Sequence, residues 1–164
     1  MNYKPLSKQQ AIEMSRPPLI EDGVYQAILL EYMNVNREGH VLKDKDGDPM
    51  TRVKFKIWDK NGHERYISTN LFWGENNKMA YRTRHFAESF KVIEMYESGK
   101  LYEEMTKVVG LSGMCEIYKQ KASVDKNGRE WPEKNEIRDF SENVTRKPEK
   151  INSTSDFFND SIPF

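Results

Sequence analysis

Arg52, Lys54, Lys56 and Trp58 occupy every second position of the stretch TRVKFKIWD, with Val53, Phe55 and Ile57 between them. Successive side chains of an extended strand point to opposite faces. One face of this strand therefore carries three apolar groups, and the other carries three cations and an indole. The apolar row is what a strand buries. The opposite row suits a single strand of nucleic acid, because rings stack on bases and Lys or Arg follows phosphates without reading sequence. From Thr51 to Tyr66 the chain holds five basic and two acidic residues, a local excess of three positive charges.

The next stretch, ERYISTNLFW, continues the pattern. Ile67, Thr69 and Leu71 share one parity, while Tyr66, Ser68, Asn70 and Phe72 share the other. Placed beside Lys54 and Trp58, the second set gives a face with three aromatic rings among cations. Arg65 adds a further cation, and Trp73, Tyr118 and Trp131 are further stacking candidates. A plainer reading competes with this one. Alternating lysines on an exposed strand also guard it against edge-to-edge aggregation, and the rings could serve the core.

The whole chain has 164 residues with 26 basic and 26 acidic side chains, so its formal net charge is zero. A typical duplex-DNA binder is strongly basic, so any positive surface here must be local. Both acids beyond residue 150, Asp156 and Asp160, fall where no Lys or Arg remains.

Other chemistry finds little support. Asp44, Asp46 and Asp48 crowd around Gly47, but an EF-hand needs its glycine after the third ligand and a glutamate at position twelve, where Phe55 stands. His40, His63, His85 and Cys115 lack zinc spacing. No glycine-rich phosphate loop or nucleophile elbow is present, and Glu103-Glu104 reads as a solvated helix face. No enzyme activity, cofactor or metal is expected. The single cysteine allows no intramolecular disulfide and fits a reducing compartment. The N-terminus lacks the apolar core of a secretory signal, and no run approaches the roughly 20 apolar residues of a membrane span. These features predict a cytoplasmic protein with no membrane partner.

The elements that would hold these side chains follow from period and turn chemistry. Residues 1–22 form an extension in which Ser7-Lys8-Gln9-Gln10 matches a helix capping box, and Pro17-Pro18 ends the segment. Val24 to Val35 reads as a long strand, and Asn36 to Met50 as a polar hairpin loop. Thr51 to Asp59 and Glu64 to Trp73 are strands joined by Asn61-Gly62, a strong hairpin signal. Met79, Phe86, Phe90 and Ile93 then share a helical face, with Gly99 suited to the helix end. A second short helix is expected over residues 101–109. Gly110 to Lys121 and Trp131 to Phe140 complete five strands, with a turn at Asp125 to Gly128 and Pro132 forcing an edge position. No internal repeat stands out. A helix between the third and fourth of five strands is the chain order of an OB-fold barrel, so the expected class is mainly β, with the domain over residues 23–140.

Residues 141–155 are polar and aperiodic, as in a flexible linker. The last nine residues, DFFNDSIPF, then place costly apolar groups at the free end. Phe164 joins a ring and the α-carboxylate on one residue, which suits a pocket with an apolar floor and a cationic rim. Asp156, Phe157, Phe158, Asp160, Ile162, Pro163 and Phe164 are therefore candidate partner-binding residues.

This ending resembles the C-terminal tip of bacterial single-stranded DNA-binding proteins, which closes in aspartates followed by Ile-Pro-Phe. Asn159 and Ser161 stand where that family usually has aspartates. The body, with GVYQAILLEYM near its start and KNGREWPEKNEIRDF near its end, resembles the OB-fold single-stranded DNA-binding proteins of phages and mobile elements. The resemblance implies an OB-fold that binds single-stranded DNA and a tip that recruits host replication, recombination and repair proteins in the bacterial cytoplasm or nucleoid. Self-association into a homo-oligomer stays open. The alternatives are an OB-fold adaptor that uses the tip to occupy host pockets, and a strand-annealing or recombination-mediator protein.

Overall fold

The computed structural model describes residues 2–15 and 18–141. A short helix, α1 (Lys8–Ser15), opens the chain. Its capping box forms as expected: the Ser7 N–H donates to Gln10 Oε1 at 2.9 Å, and the Gln10 N–H donates to Ser7 Oγ at 3.1 Å. These bonds satisfy donors that a helix start leaves open.

The body is mainly β. β1 (Gly23–Met33) lies between β2 (Met50–Trp58) and β4 (Ser112–Gln120), with β3 (Glu64–Phe72) and β7 (Lys134–Ser141) at the ends of the sheet. Every neighbouring pair is antiparallel. Register breaks between Leu29 and Glu31 and between Glu116 and Ile117. Such bulges bend a strand and increase its twist. The sheet curls into a half-barrel, an arrangement compatible with an OB-like fold.

Between β3 and β4 the chain forms α2 (Tyr81–Ser89), α3 (Ile93–Glu97) and a 3-10 turn (Met105–Val108). Phe86 of α2 and Phe90 just beyond it meet Phe55 of β2 and Phe140 of β7. All six pairs among these four rings have centroids 4.6 to 6.3 Å apart, and all four side chains are buried. The helix thus packs its apolar stripe into the curl of the sheet. At its end, Ser89 Oγ accepts from the Met114 N–H at 2.8 Å and donates to the Ser141 carbonyl at 2.7 Å. Gly113 permits this approach, since a Cβ there would lie 2.5 Å from Phe90.

The ends of the sheet are joined through a side chain. Arg82 of α2 is only 5% exposed. Its guanidinium donates to the Ile137 carbonyl of β7 at 2.8 Å, and to the Asn70 carbonyl and Thr69 Oγ1 of β3 at 3.0 and 3.2 Å. Its Nε has no hydrogen-bond partner among the described residues. A buried polar group is costly unless bonded, so the position is held by the three bonds that Nη1 and Nη2 make with the four other donors of the planar fork.

Three expectations need correction. The one helix expected to carry Met79, Phe86, Phe90 and Ile93 and to end at Gly99 is broken into α2 and α3, with Lys91 at a φ of 64° between them. Residues 101–109 form turns and the 3-10 segment in place of a second α-helix, although Leu101, Met105 and Val108 are buried as their spacing required. Trp131 to Phe140 is not one strand. Ser123–Val124 (β5) and Glu130–Trp131 (β6) pair in a separate small hairpin, and β7 begins only at Lys134. Pro132 lies at the break and has no N–H to give a ladder.

Four loops share one design: Asn36 to His40, Asp44 to Asp48, Asp59 to His63 and Asp125 to Arg129. In each, the first side chain accepts the backbone N–H groups of the third and fifth residues at 2.8 to 3.0 Å. In each, the fourth residue is glycine with φ between 79° and 85°, where an L side chain would be strained. The acidic cluster at residues 44–48 is therefore a folded turn whose first carboxylate is already occupied by backbone donors. The second position is Arg37, Lys45, Lys60 or Lys126, so every loop carries a cation beside its acceptor.

Candidate nucleic-acid interface

β2 and β3 pair in simple register, with Arg52 opposite Asn70, Lys54 opposite Ser68, and Lys56 opposite Tyr66. Val53, Phe55, Ile57, Ile67, Thr69 and Leu71 are buried on the inner side. The alternation therefore places Arg52, Lys54, Lys56, Trp58, Tyr66 and Phe72 on the outer face, together with Ser68 and Asn70.

Cations lie over rings on the five-stranded sheet and on the β5–β6 hairpin. Lys54 Nζ is 5.5 Å from the Tyr66 ring centroid, and Lys56 Nζ is 5.4 Å from that of Trp58. Arg138 of β7 covers Tyr118 of β4 at 4.4 Å, and Arg129 covers Trp131 at 5.1 Å. All fall within the roughly 6 Å over which a cation is attracted to a ring face. Tyr66 is 55% exposed and Trp131 is 47% exposed. Glu64 tempers the charge, standing 3.8 Å from Lys56 and accepting the Tyr66 hydroxyl at 3.2 Å. That hydrogen bond raises the Tyr66 phenol above its ordinary value.

The surface continues past β3. A groove of about 430 Å³ runs over the gap between β3 and β7, lined by Arg52, Asn70, Phe72, Tyr118, Lys134 and Glu136 among others. Arg82 contributes to its floor. Its buried guanidinium is bonded to carbonyls and a hydroxyl, with no carboxylate at hydrogen-bond distance among the described residues. A groove with one acid, two rim cations and a cation beneath favours an anionic ligand.

Three candidates stand elsewhere. Arg65 shares the parity of inward-facing Ile67, and its guanidinium bonds Asp59 at 3.4 Å and the Pro18 carbonyl. It anchors the N-terminal segment and does not join the outer face. Asp59 is partly desolvated, which alone would raise its carboxyl, but the His63 and Asn61 N–H groups and Arg65 together lower it. Trp73 turns to the opposite side: its indole N–H donates to buried Thr51 Oγ1 at 2.9 Å, and its ring meets the edge of Tyr102 at 5.6 Å. Trp131 is exposed but sits on the β5–β6 hairpin, with its indole N–H 3.3 Å from Asp125 Oδ2. The tip residues Asp156, Phe157, Phe158, Asp160, Ile162, Pro163 and Phe164 lie outside the described residues.

Lys134, Glu136, Arg138, Asn70 and Gln120 complete the outer surface without having been singled out as candidates. The i, i+2 spacing of Lys134, Glu136 and Arg138 was a readable signal for a shared face. Their nearness to Arg52 was not readable, since it depends on the curl that brings β7 toward β3.

Among the described residues, no three His, Cys, Asp or Glu side chains gather so as to hold a metal ion, and no helix is long and apolar enough to cross a membrane. Comparison with protein-family models gives no match, and neither does comparison with curated proteins.

Proposed function

We propose that this chain is a non-enzymatic, largely sequence-independent single-stranded DNA-binding protein of the phage or mobile-element type. In this reading the half-barrel is an OB-fold, with α2 as the helix between its third and fourth strands. The strand lies over the outer face of β2 and β3, bases stack on Trp58, Tyr66 and Phe72, and Arg52, Lys54 and Lys56 follow the phosphates. The observation that carries the reading is the pairing of outer-face rings with cations, Lys54 with exposed Tyr66 and Lys56 with half-buried Trp58. Each pair offers a stacking platform and a phosphate contact side by side.

The C-terminal tip is the second working part. Its Ile162-Pro163-Phe164 ending docks in pockets of replication, recombination or repair proteins, with Asp156 and Asp160 attracted to a basic rim. Fluorescence anisotropy of a labelled oligo-dT, with a duplex of equal length as competitor, tests the first part. Salt-sensitive binding that the duplex fails to displace is expected. Equal competition by the duplex, or no binding, would refute it and favour a protein-binding adaptor.

A further inference from the structure

A carboxylate, that of Glu136, lines the cationic groove between β3 and β7. Arg52 faces Asn70 across the β2–β3 ladder, and Glu136 faces Tyr118 across the β4–β7 ladder. Arg82 bonds the carbonyls of both Asn70 and Ile137, so these positions oppose each other across the gap. The result is a transverse row: guanidinium, amide, carboxylate, phenol. An acid beside phosphates repels them, so Glu136 weakens a groove that reads only the backbone. Lys134 stands 3.3 Å from Glu136, but the two side chains are 58% and 28% exposed. An exposed pair of this kind contributes little and opens readily.

We infer that Glu136 makes this groove a guanine-selective subsite for one nucleotide of the bound strand. The inference rests on the single-stranded DNA reading above and adds a base preference to it. Guanine alone among the DNA bases presents two adjacent donors, N1–H and the N2 amine, on its Watson–Crick edge. A carboxylate accepts both with its two oxygens. The O6 and N7 acceptors on the same base then suit an arginine, the commonest specific contact to guanine, and Arg52 is the arginine at the rim. Thymine offers a single N–H flanked by carbonyls, which a carboxylate repels. Adenine and cytosine offer one amine beside an unprotonated ring nitrogen. Phe72 and Tyr118 supply rings for stacking, one face of Tyr118 being already covered by Arg138 at 4.4 Å. Unstacked bases in single strands are recognised by this combination of ring contact and edge hydrogen bonds.

The test uses the full-length chain and three oligonucleotides of one length: all dT, dT with one isolated dG, and dT with one isolated deoxyinosine, which lacks the N2 amine. The dG strand should bind about tenfold tighter than all-dT, and inosine should lose most of that gain. Glu136→Gln should erase the dG preference while leaving all-dT affinity equal or higher, because a negative charge has gone. Equal affinity for the three strands in the wild type, or a dG preference that survives Glu136→Gln, would overturn the inference and leave the DNA-binding reading standing. Binding to none of them would overturn both.

Discussion

Lys54 lies 5.5 Å from the centre of the Tyr66 ring, one diagonal step across the β2–β3 ladder. In the free protein the ammonium and the ring satisfy each other. A bound strand would separate their roles, with the ring stacking under a base and the ammonium meeting a phosphate. The contact given up is worth roughly 0.5–1 kcal/mol at an exposed site, less than the stacking that replaces it.

Tyr66→Ala and Trp58→Ala should each weaken oligo-dT binding by about 1–3 kcal/mol. Trp73→Phe should leave that affinity unchanged, because the Trp73 indole is committed to Thr51. Calorimetric or anisotropy titrations of the three variants check this. A loss at Trp73 larger than at Tyr66, in folded proteins, would move the site away from the outer face.

Arg82 is expected to matter for stability more than for charge. Arg82→Met keeps much of the apolar stem but leaves the carbonyls of Ile137 and Asn70 without this donor. Breaking hydrogen bonds to a charged group costs about 1.5–3 kcal/mol each before relaxation and water compensate, so a net loss of roughly 2–4 kcal/mol is expected in urea denaturation. A loss below about 0.5 kcal/mol, the range of an ordinary surface change, would show that the β3–β7 gap does not depend on this side chain.

Acid should loosen the hairpin loops. In Asp125 the Arg129 N–H is the main influence lowering the carboxyl, while in Asp44 and Asp59 backbone N–H donors outweigh a desolvation that acts the other way. A carboxyl lowered in the folded state adds stability above its unfolded value, near 3.8, and loses it as pH falls through the folded value. The Asp44→Asn, Asp59→Asn, Asp125→Asn variant keeps the turn acceptor, as Asn36 does in the first loop. Its stability deficit against the wild type should be largest near neutral pH and shrink below pH 4. A deficit constant from neutral pH to pH 3, in denaturant melts, would contradict the ionic part of this account.

Removing residues 156–164 should abolish docking to partner proteins and leave oligo-dT affinity equal or slightly higher, since two aspartates leave with them. Pull-down against purified replication and repair proteins, beside a DNA titration of the same truncation, separates the two functions. Loss of DNA affinity on truncation would contradict the division of labour.

The half-barrel was legible where a strand is half buried. TRVKFKIW alternates without a fault, and the burial of Val53, Phe55 and Ile57 follows it position by position. The same rule placed Arg65 on the parity of Ile67, yet counting it with the local cations obscured that. Trp73 has the parity of Leu71, which already sets it opposite the outer face; its hydrogen bond to Thr51 was what the sequence did not show. Arg82 was hidden for a physical reason: an arginine between helical positions reads as solvated, and only the approach of β3 to β7 supplies carbonyls for it. The carboxylate of Glu136 in the groove was hidden for the same reason, since the ladder pairs it with Tyr118 and the curl of the sheet brings it near Arg52.

The most direct measurement is a tryptophan-fluorescence titration with oligo-dT at several salt concentrations. Trp58 lies on the proposed path, so stacking of bases on its indole should quench the signal. The affinity should fall with log salt at about −0.7 per phosphate neutralised, and the slope should diminish in Lys54→Ala. An unquenched signal, together with no salt-dependent binding, would contradict the account.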